Sequence, residues 1–294
     1  MEGRIYLENP IGIVNWIEKS EIIANLLNHN YPLTTHSMDQ GFEAEVMKIC
    51  SNKKSFVLKV WNKRSNPDIS VQYQLLNVLF ERGLSVSKPL GWGTNPNGDK
   101  VLLTTFDGIP VLKVDEKKMK EIANILSKIH QIHVNDIGNI QLPKYDFIDY
   151  FFPVVREHND IYSALISLIQ ITQIKQEYII HGDFHISNIL EKSDGYTVID
   201  WTNGQLGDPR YDFAWSLILL KIYVSERYAY VFHSAYLLEN DIEPKELEQF
   251  EALACLRWIV LNRNGGVPKG AYTLERVKIL ITNNPYLNEF KIII

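Results

Sequence analysis

Cysteine is nearly absent from this chain. Cys50 and Cys255 are the two in 294 residues, and each sits in an apolar pattern with no second ligand beside it. They read as buried free thiols in a reducing compartment rather than as a disulfide or a metal centre. Long apolar runs are also missing: nothing approaches the ~18 consecutive apolar residues of a membrane span. The chain begins with Glu2 and Arg4 rather than with the hydrophobic block of a signal peptide. These absences lead us to expect a soluble cytoplasmic protein without a membrane partner. There is no excess of positive charge, because 30 Lys and Arg stand against 35 Asp and Glu for a net charge of -5, with both signs interspersed. A dedicated nucleic-acid binder would carry a basic face. A cationic or neutral partner fits this balance better. Repeats and low-complexity linkers are absent as well, so domain boundaries have to come from the residue pattern.

What is present divides into a strand-rich half and a helix-rich half. Apolar spacing from Ile11 to Leu27 (Ile13, Ile17, Ile22, Ile23, Leu26, Leu27) predicts an amphipathic helix broken near Ser20. "GFEAEVMKICS" alternates Phe42, Ala44, Val46 and Ile49 with polar residues, "NKK" turns, and "SFVLKVW" returns, a hairpin with Gly41 at its mouth. "VQYQLLNVLFERG" reads as a helix closed by Gly83. "KPLGWGT" and "KVLLTTF" flank the turn-forming "NPNGD" as a second hairpin. After "DGIP" the pattern becomes helical, which places a boundary at 106/107. "EKKMKEIANILSKIHQIH" puts His130 and His133 on an apolar face, where they read as satisfied histidines rather than metal ligands. Further helices are expected within 147–176, 210–237 and 244–262, and "FKIII" as a docked tail.

The densest chemistry lies in "IIHGDFHISNIL", residues 179–190. "YII" before His181 and "IL" after Asn188 read as short buried strands, and "YTVIDW" at 196–201 as a partner strand reached through "EKSDG". A single small sheet of this kind would bring Asp183, Asn188 and Asp200 together on loops at one end. Asn and Asp oxygens are hard ligands suited to Mg²⁺, which takes few protein ligands and keeps waters and substrate phosphates for the rest. A carboxylate not bound to the metal, Asp183, is then available to accept a proton from an incoming hydroxyl.

The blocks "HGDFHISNIL", "VIDW" and "GDPRYDFA", in this order and with spacings of five from Asp183 to Asn188 and twelve from Asn188 to Asp200, resemble the signature of the aminoglycoside phosphotransferase and choline kinase family. That resemblance implies an α+β, protein-kinase-like bilobal fold. Residues 1–106 would form a small β-rich N-lobe that binds nucleotide. Residues 107–294 would form a larger, mainly helical C-lobe with the catalytic loop, the metal site and the acceptor-binding helices. It implies that Asp183 is the catalytic aspartate and that Asn188 and Asp200 hold Mg²⁺ against the phosphates of ATP or GTP. His185 takes the place of the catalytic-loop lysine of protein kinases, either touching the transferred phosphoryl group or packing, and His181 braces the loop. Lys59, mid-strand in "FVLKVW", becomes the lysine on the α- and β-phosphates, and the Thr104 carbonyl and Phe106 amide meet adenine.

The chain departs from the pattern in two places. Gln72 stands where the acidic partner of Lys59 is expected, with Asp68 as the nearest upstream acid. "SMDQGFEAEVMKI" offers one glycine for the phosphate loop, whereas the "DW" that stands where protein kinases have DFG is usual for the antibiotic kinases the chain resembles. Asp208 and Asp212 read as loop organisers, Asp212 capping a helix and Asp208 serving a turn. "ENDIEPKELEQFE" is a solvated acidic face or an attraction for a polyamine, and Trp258 and Arg263 are expected to border the acceptor. The implied activity is phosphoryl transfer to a hydroxyl of a small molecule, an aminoglycoside-like antibiotic first. The alternatives are a choline-like or other hydroxylated metabolite as acceptor, or a catalytically silent nucleotide-binding scaffold.

Overall fold

The computed structural model describes residues 9–28, 33–38, 44–51, 54–63, 67–138 and 140–294. Glu2, Arg4, the Gly41 turn with Phe42, and Asn52 and Lys53 of the "NKK" turn lie outside the described residues. The chain folds as two compact units. One comprises Met1–Pro110 with Leu190–Thr202, the other Val111–Ile189 with Asn203–Ile294.

The first unit is built on a six-stranded antiparallel sheet with two helices. In chain order its elements are β1 (Asn15–Lys19), α1 (Glu21–Asn28), β2 (Leu33–Ser37), β3 (Ala44–Ser51), β4 (Lys54–Trp61), α2 (Ile69–Glu81), β5 (Pro89–Thr94), β6 (Lys100–Thr105) and the short β7 (Ile109–Pro110). The strands lie in the order β1-β5-β6-β4-β3-β2. Period-two alternation aims Phe56 and Leu58 of β4 and Val101 and Leu103 of β6 into one core with Ile49 and Leu90, and Ile23 and Leu26 of α1 join it. Each such side chain contributes roughly 1.5–3 kcal/mol when fully buried. Gly83 ends α2 as expected: its φ is +74°, and Leu84 N–H reaches back to the Leu79 carbonyl at 3.0 Å, the six-to-one bond of a left-handed helix cap.

Residues 15–19 correct the helical expectation for this stretch. They form the edge strand β1, antiparallel to β5, with Asn15 opposite Thr94 and Trp16 opposite Gly93. The reason lies in the partner: a Cβ at Gly93 would come within 2.2 Å of the Asn15 carbonyl oxygen, and one at Gly91 within 2.7 Å of the Glu18 carbonyl oxygen. Those two glycines admit a neighbouring backbone, and pairing with it overrides the apolar spacing.

In the second unit α3 (Glu116–His130), α4 (Phe147–Phe151) and α5 (Asn159–Thr172) precede β8 (Tyr178–Ile180). The following stretch, counted with the first unit from Leu190 on, makes β9 (Ile189–Lys192) and β10 (Gly195–Val198), which join β7 in a three-stranded sheet ordered β10-β9-β7. The chain continues through β11 (Gln205–Gly207), α6 (Pro209–Tyr223), α7 (Glu226–Leu237), α8 (Pro244–Arg263) and α9 (Thr273–Asn283), a helix not anticipated from the sequence. β8 pairs with β11, Ile180 opposite Gln205, and not with the β9–β10 hairpin. The single small sheet expected around the polar loop is therefore two separate sheets. α6 is buried almost all round, from Tyr211 through Leu220, because α7, α8 and α9 pack against it. A helix enclosed in this way is a rigid base for whatever its first turn touches.

Two smaller readings change as well. His133 lies beyond α3, where its Nδ1 accepts from the Asn135 amide at 3.2 Å. Cys50 is half-buried while Cys255 is buried, and both are free. No helix among the described residues is long and apolar enough to cross a membrane.

Candidate active site

Three of the predicted side chains share one loop of the second unit. After β8 the chain turns through Gly182 at φ +78°, a conformation that a Cβ would strain; it would also meet the Asn203 carbonyl oxygen at 2.6 Å. Asp183 follows, then the buried Phe184 packed edge-on against the His181 ring, then His185 and a single 3₁₀ turn, Ile186–Asn188. Asn188 closes the loop: its Nδ2 lies 3.0 Å from the Asp183 carbonyl oxygen, to which it donates, and 3.2 Å from His185 Nε2. With the nitrogen so engaged, the Asn188 Oδ1 is the atom left to offer a ligand. The side chains of Asp183 and His185 are 31% and 30% exposed, enough for a small molecule to reach them.

The Asp183 carboxylate is held from several directions. Trp215 Nε1 donates to Oδ1 at 2.9 Å, and His185 Nε2 lies 3.5 Å from Oδ2. Burial alone raises this carboxyl; hydrogen bonding and charge from His185, the charge of Arg257 and the Trp215 N–H outweigh it and hold the group well below the usual carboxylate range. It is ionised at neutral pH. Beneath the loop, buried Asp212 accepts from the His181 and Gly182 amides at 2.8 and 3.0 Å and lies 3.1 Å from His130 Nε2. With Nε2 donating, His130 Nδ1 accepts from the Tyr236 hydroxyl at 2.6 Å. The His130 expectation, a satisfied buried histidine, is met in this way. Asp208 is the helix cap, accepting from the Arg210 amide at 3.0 Å with Pro209 in the first turn, whereas Asp212 points from that turn into the loop. The two aspartates thus exchange the detailed roles read from the sequence.

The other predicted residues belong to the first unit. Lys59 on β4 reaches Asp200 Oδ1 at 3.4 Å, and Thr202 Oγ1 donates to the same oxygen at 3.1 Å. Asp200 has φ +65°, a left-handed backbone conformation uncommon in residues with a side chain. Asp68 is not the partner of Lys59; it caps α2, accepting from the Val71 amide at 3.2 Å. Gln72 is buried on α2, and its Oε1 has no hydrogen-bond partner among the described residues. At the end of β6, Thr104 is buried opposite Val57, and the Phe106 amide donates to the Ser55 carbonyl at 3.2 Å. Lys48 Nζ stands 3.8 Å over the Phe106 ring.

No cluster of three or more His, Cys, Asp or Glu side chains with metal-binding spacing occurs among the described residues. Mg²⁺ takes one or two protein oxygens beside phosphates and water. The Asn188 side-chain oxygen and the Asp200 carboxylate are each hard donors of the kind that ion takes.

Sequence reasoning passed over Trp215 and Arg257. Trp215 stands three positions after Asp212, so the two share a helix face. Arg257 donates to the Gly182 carbonyl at 2.9 Å and lies 4.0 Å over the Trp215 ring and 4.7 Å over that of Phe151. Of the residues expected to border an acceptor, Trp258 is buried and donates to the Tyr223 hydroxyl at 2.9 Å, and Arg263 clamps Asp160 at 2.9 Å and the Ile293 carbonyl. In the acidic stretch, Glu246 pairs with Arg210 and Glu251 with Lys221.

Comparison with other proteins agrees with this architecture. No curated protein matches the sequence. Among solved structures, amicoumacin kinase in complex with AMP-PNP and Ca²⁺ superposes with TM-score 0.66 at 16% identity, over 87% of this chain and 90% of that one. Spectinomycin phosphotransferase, in complex with ADP and its antibiotic, gives 0.60 at 17%, over 93% and 94%. Choline kinase from Streptococcus pneumoniae gives 0.59 at 16%, over 92% and 98%. Identity at this level shows a common fold, the protein-kinase-like α+β architecture. The sequence model of the phosphotransferase enzyme family (APH) matches residues 36–250. With most of its length covered by that match, the chain belongs to the phosphotransferase enzyme family.

Proposed function

We propose that this protein is a magnesium-dependent kinase that transfers the terminal phosphoryl group of ATP or GTP to a hydroxyl of a small molecule, with an aminoglycoside-like antibiotic as the first candidate acceptor. The observation that carries the reading is the Asp183 carboxylate: ionised, hydrogen-bonded at Oδ1, and open to small molecules. Phosphoryl transfer passes through a loose transition state that asks mainly for in-line positioning and charge neutralisation. A carboxylate that orients the alcohol and takes its proton late is sufficient, and a strong base is unnecessary. Lys59 supplies positive charge to the α- and β-phosphates. Asn188 and Asp200 are the proposed magnesium ligands, and the ion when bound neutralises phosphate charge. His185, 3.5 Å from Asp183 Oδ2, is proposed to steady the carboxylate and to face the transferred group. The adenine edge is assigned to the end of β6, at Thr104 and Phe106; meeting the ring with the Phe106 amide exchanges its bond to Ser55. Residues 1–106 are assigned to nucleotide and 107–294 to the catalytic loop and acceptor, in the cytoplasm.

One feature favours a second reading. Gln72, in place of the acid expected opposite Lys59, with a buried Oε1 that has no partner among the described residues, fits a silent nucleotide-binding scaffold. Incubating the protein with Mg²⁺, ATP or GTP and a panel of aminoglycosides, other hydroxylated antibiotics, choline, ethanolamine and sugars separates the two. A product heavier by one phosphoryl group, lost in Asp183→Asn, supports the kinase. Nucleotide binding without turnover across the panel supports the scaffold.

A further inference from the structure

The loop that carries Asp183 is held by one face of α6. Asp212 takes the amides of His181 and Gly182, and Trp215, one helical turn later, takes the Asp183 carboxylate itself. Three consecutive loop residues are therefore fixed by two side chains spaced i, i+3, which lie adjacent on a helix surface. α6 is enclosed by other helices, so this template is rigid. Arg257 of α8 completes it from the other side, bonded to the Gly182 carbonyl and stacked on the Trp215 ring. A guanidinium at 4.0 Å from an indole face fixes the ring plane and with it the direction of the N–H. The indole is 3% exposed, so water does not compete for that donor.

We propose that Trp215 is a positioning residue for phosphoryl transfer: its indole N–H, oriented by Arg257, locks the Asp183 carboxylate so that Oδ2 is the oxygen presented to the acceptor hydroxyl. Oδ1 is engaged by a 2.9 Å charge-assisted hydrogen bond, while among the described residues Oδ2 has the longer 3.5 Å contact with His185. Without the N–H, the carboxylate rotates about its last bond, and neither oxygen is held in line for the alcohol. This inference rests on Asp183 being the catalytic carboxylate.

Two measurements test it. Trp215→Phe keeps a ring for Arg257 to stack on and removes only the donor. A lost hydrogen bond to a charged group corresponds to a fall in kcat of about 10- to 100-fold. The expected result is that fall with the KM for nucleotide changed less than twofold; kcat within twofold of wild type overturns the proposal. The second measurement needs neither turnover nor that variant. Among the six indole N–H resonances of the ¹⁵N-labelled wild-type protein, the one bonded to a carboxylate moves in Asp183→Ala. If all six stay in place, the hydrogen bond is absent and the proposal fails. A wild-type protein that phosphorylates no acceptor removes the kinase reading instead, while the indole resonances still decide the positioning.

Discussion

Replacing Asp212 by Asn tests the buried anchor of the catalytic loop. The carboxylate receives the His181 amide at 2.8 Å and contacts His130 Nε2 at 3.1 Å through Oδ2, and takes the Gly182 amide at 3.0 Å through Oδ1. Burial works to raise its pKa, yet the hydrogen bonds from the His130 ring and the His181 amide hold it below the usual range, so the wild-type group is an anion. An amide has one acceptor oxygen. If that oxygen keeps His181 and His130, the new NH₂ faces the Gly182 N–H, donor against donor. One orphaned buried N–H costs about 1–3 kcal/mol, and the remaining bonds drop from charge-assisted to neutral, about half their strength. The sum, about 3–5 kcal/mol, matches the usual cost of breaking a buried charged pair. At roughly 2–4 °C per kcal/mol for a domain of 150–250 residues, melting falls by on the order of 10 °C. Urea and thermal unfolding of the two proteins measure this. A variant within about 1 kcal/mol of wild type would refute the claim that this carboxylate anchors the loop.

Three further outcomes are expected. Lys59→Met lowers kcat/KM for nucleotide at least tenfold, yet changes unfolding free energy by less than about 1 kcal/mol, because the pair with the half-exposed Asp200 is solvent-screened; steady-state kinetics beside a urea titration checks both. Gly182→Ala loses activity through a displaced loop: left-handed backbone costs about 1–2 kcal/mol in a residue with a Cβ, and the new methyl meets the Asn203 carbonyl at 2.6 Å. An active variant with wild-type stability would contradict that contact. The Arg263 hydrogen bond holds Asp160 well below the ordinary range despite the opposing effect of burial. A depressed folded-state pKa adds stability above the unfolded value, about pH 4, and loses it as pH falls below that. The unfolding free energy of Asp160→Asn should therefore decline less steeply between about pH 4 and pH 2 than that of wild type.

The polar loop was legible because its chemistry is local. "HGDFHISN" fixes which residues share a turn, and the Gly182 backbone conformation and the closure by Asn188 follow within eight residues. Elements that depend on distant partners were not. Residues 15–19 carry helical spacing, and only β5, more than seventy residues later, makes them a strand. β8 finds β11 rather than its near neighbour in sequence. α9 has few core positions, with Val277 and Ile281 buried among polar neighbours, so its apolar stripe is narrow. Asp68 and Asp212 show the same limit at the site: each is an acid near in sequence to the position that calls for a partner or a cap, while three-dimensional packing gives the partnership to Asp200 and the cap to Asp208. Trp215 and Arg257 left no mark in the sequence, because an indole or a guanidinium inside an apolar helix looks like core until its hydrogen-bond partner is seen.

Gly91 and Gly93 have a consequence unrelated to catalysis. By letting β1 lie against β5, they end the sheet in a short, bulged strand whose outward side chains include Glu18 and Lys19. A valine at position 93 would push that strand away and bare the hydrogen-bonding rim of β5, a template on which a second copy could pair. Two missing methyl groups therefore act as a guard against self-association, and the first symptom of losing them would be turbidity rather than a slower reaction.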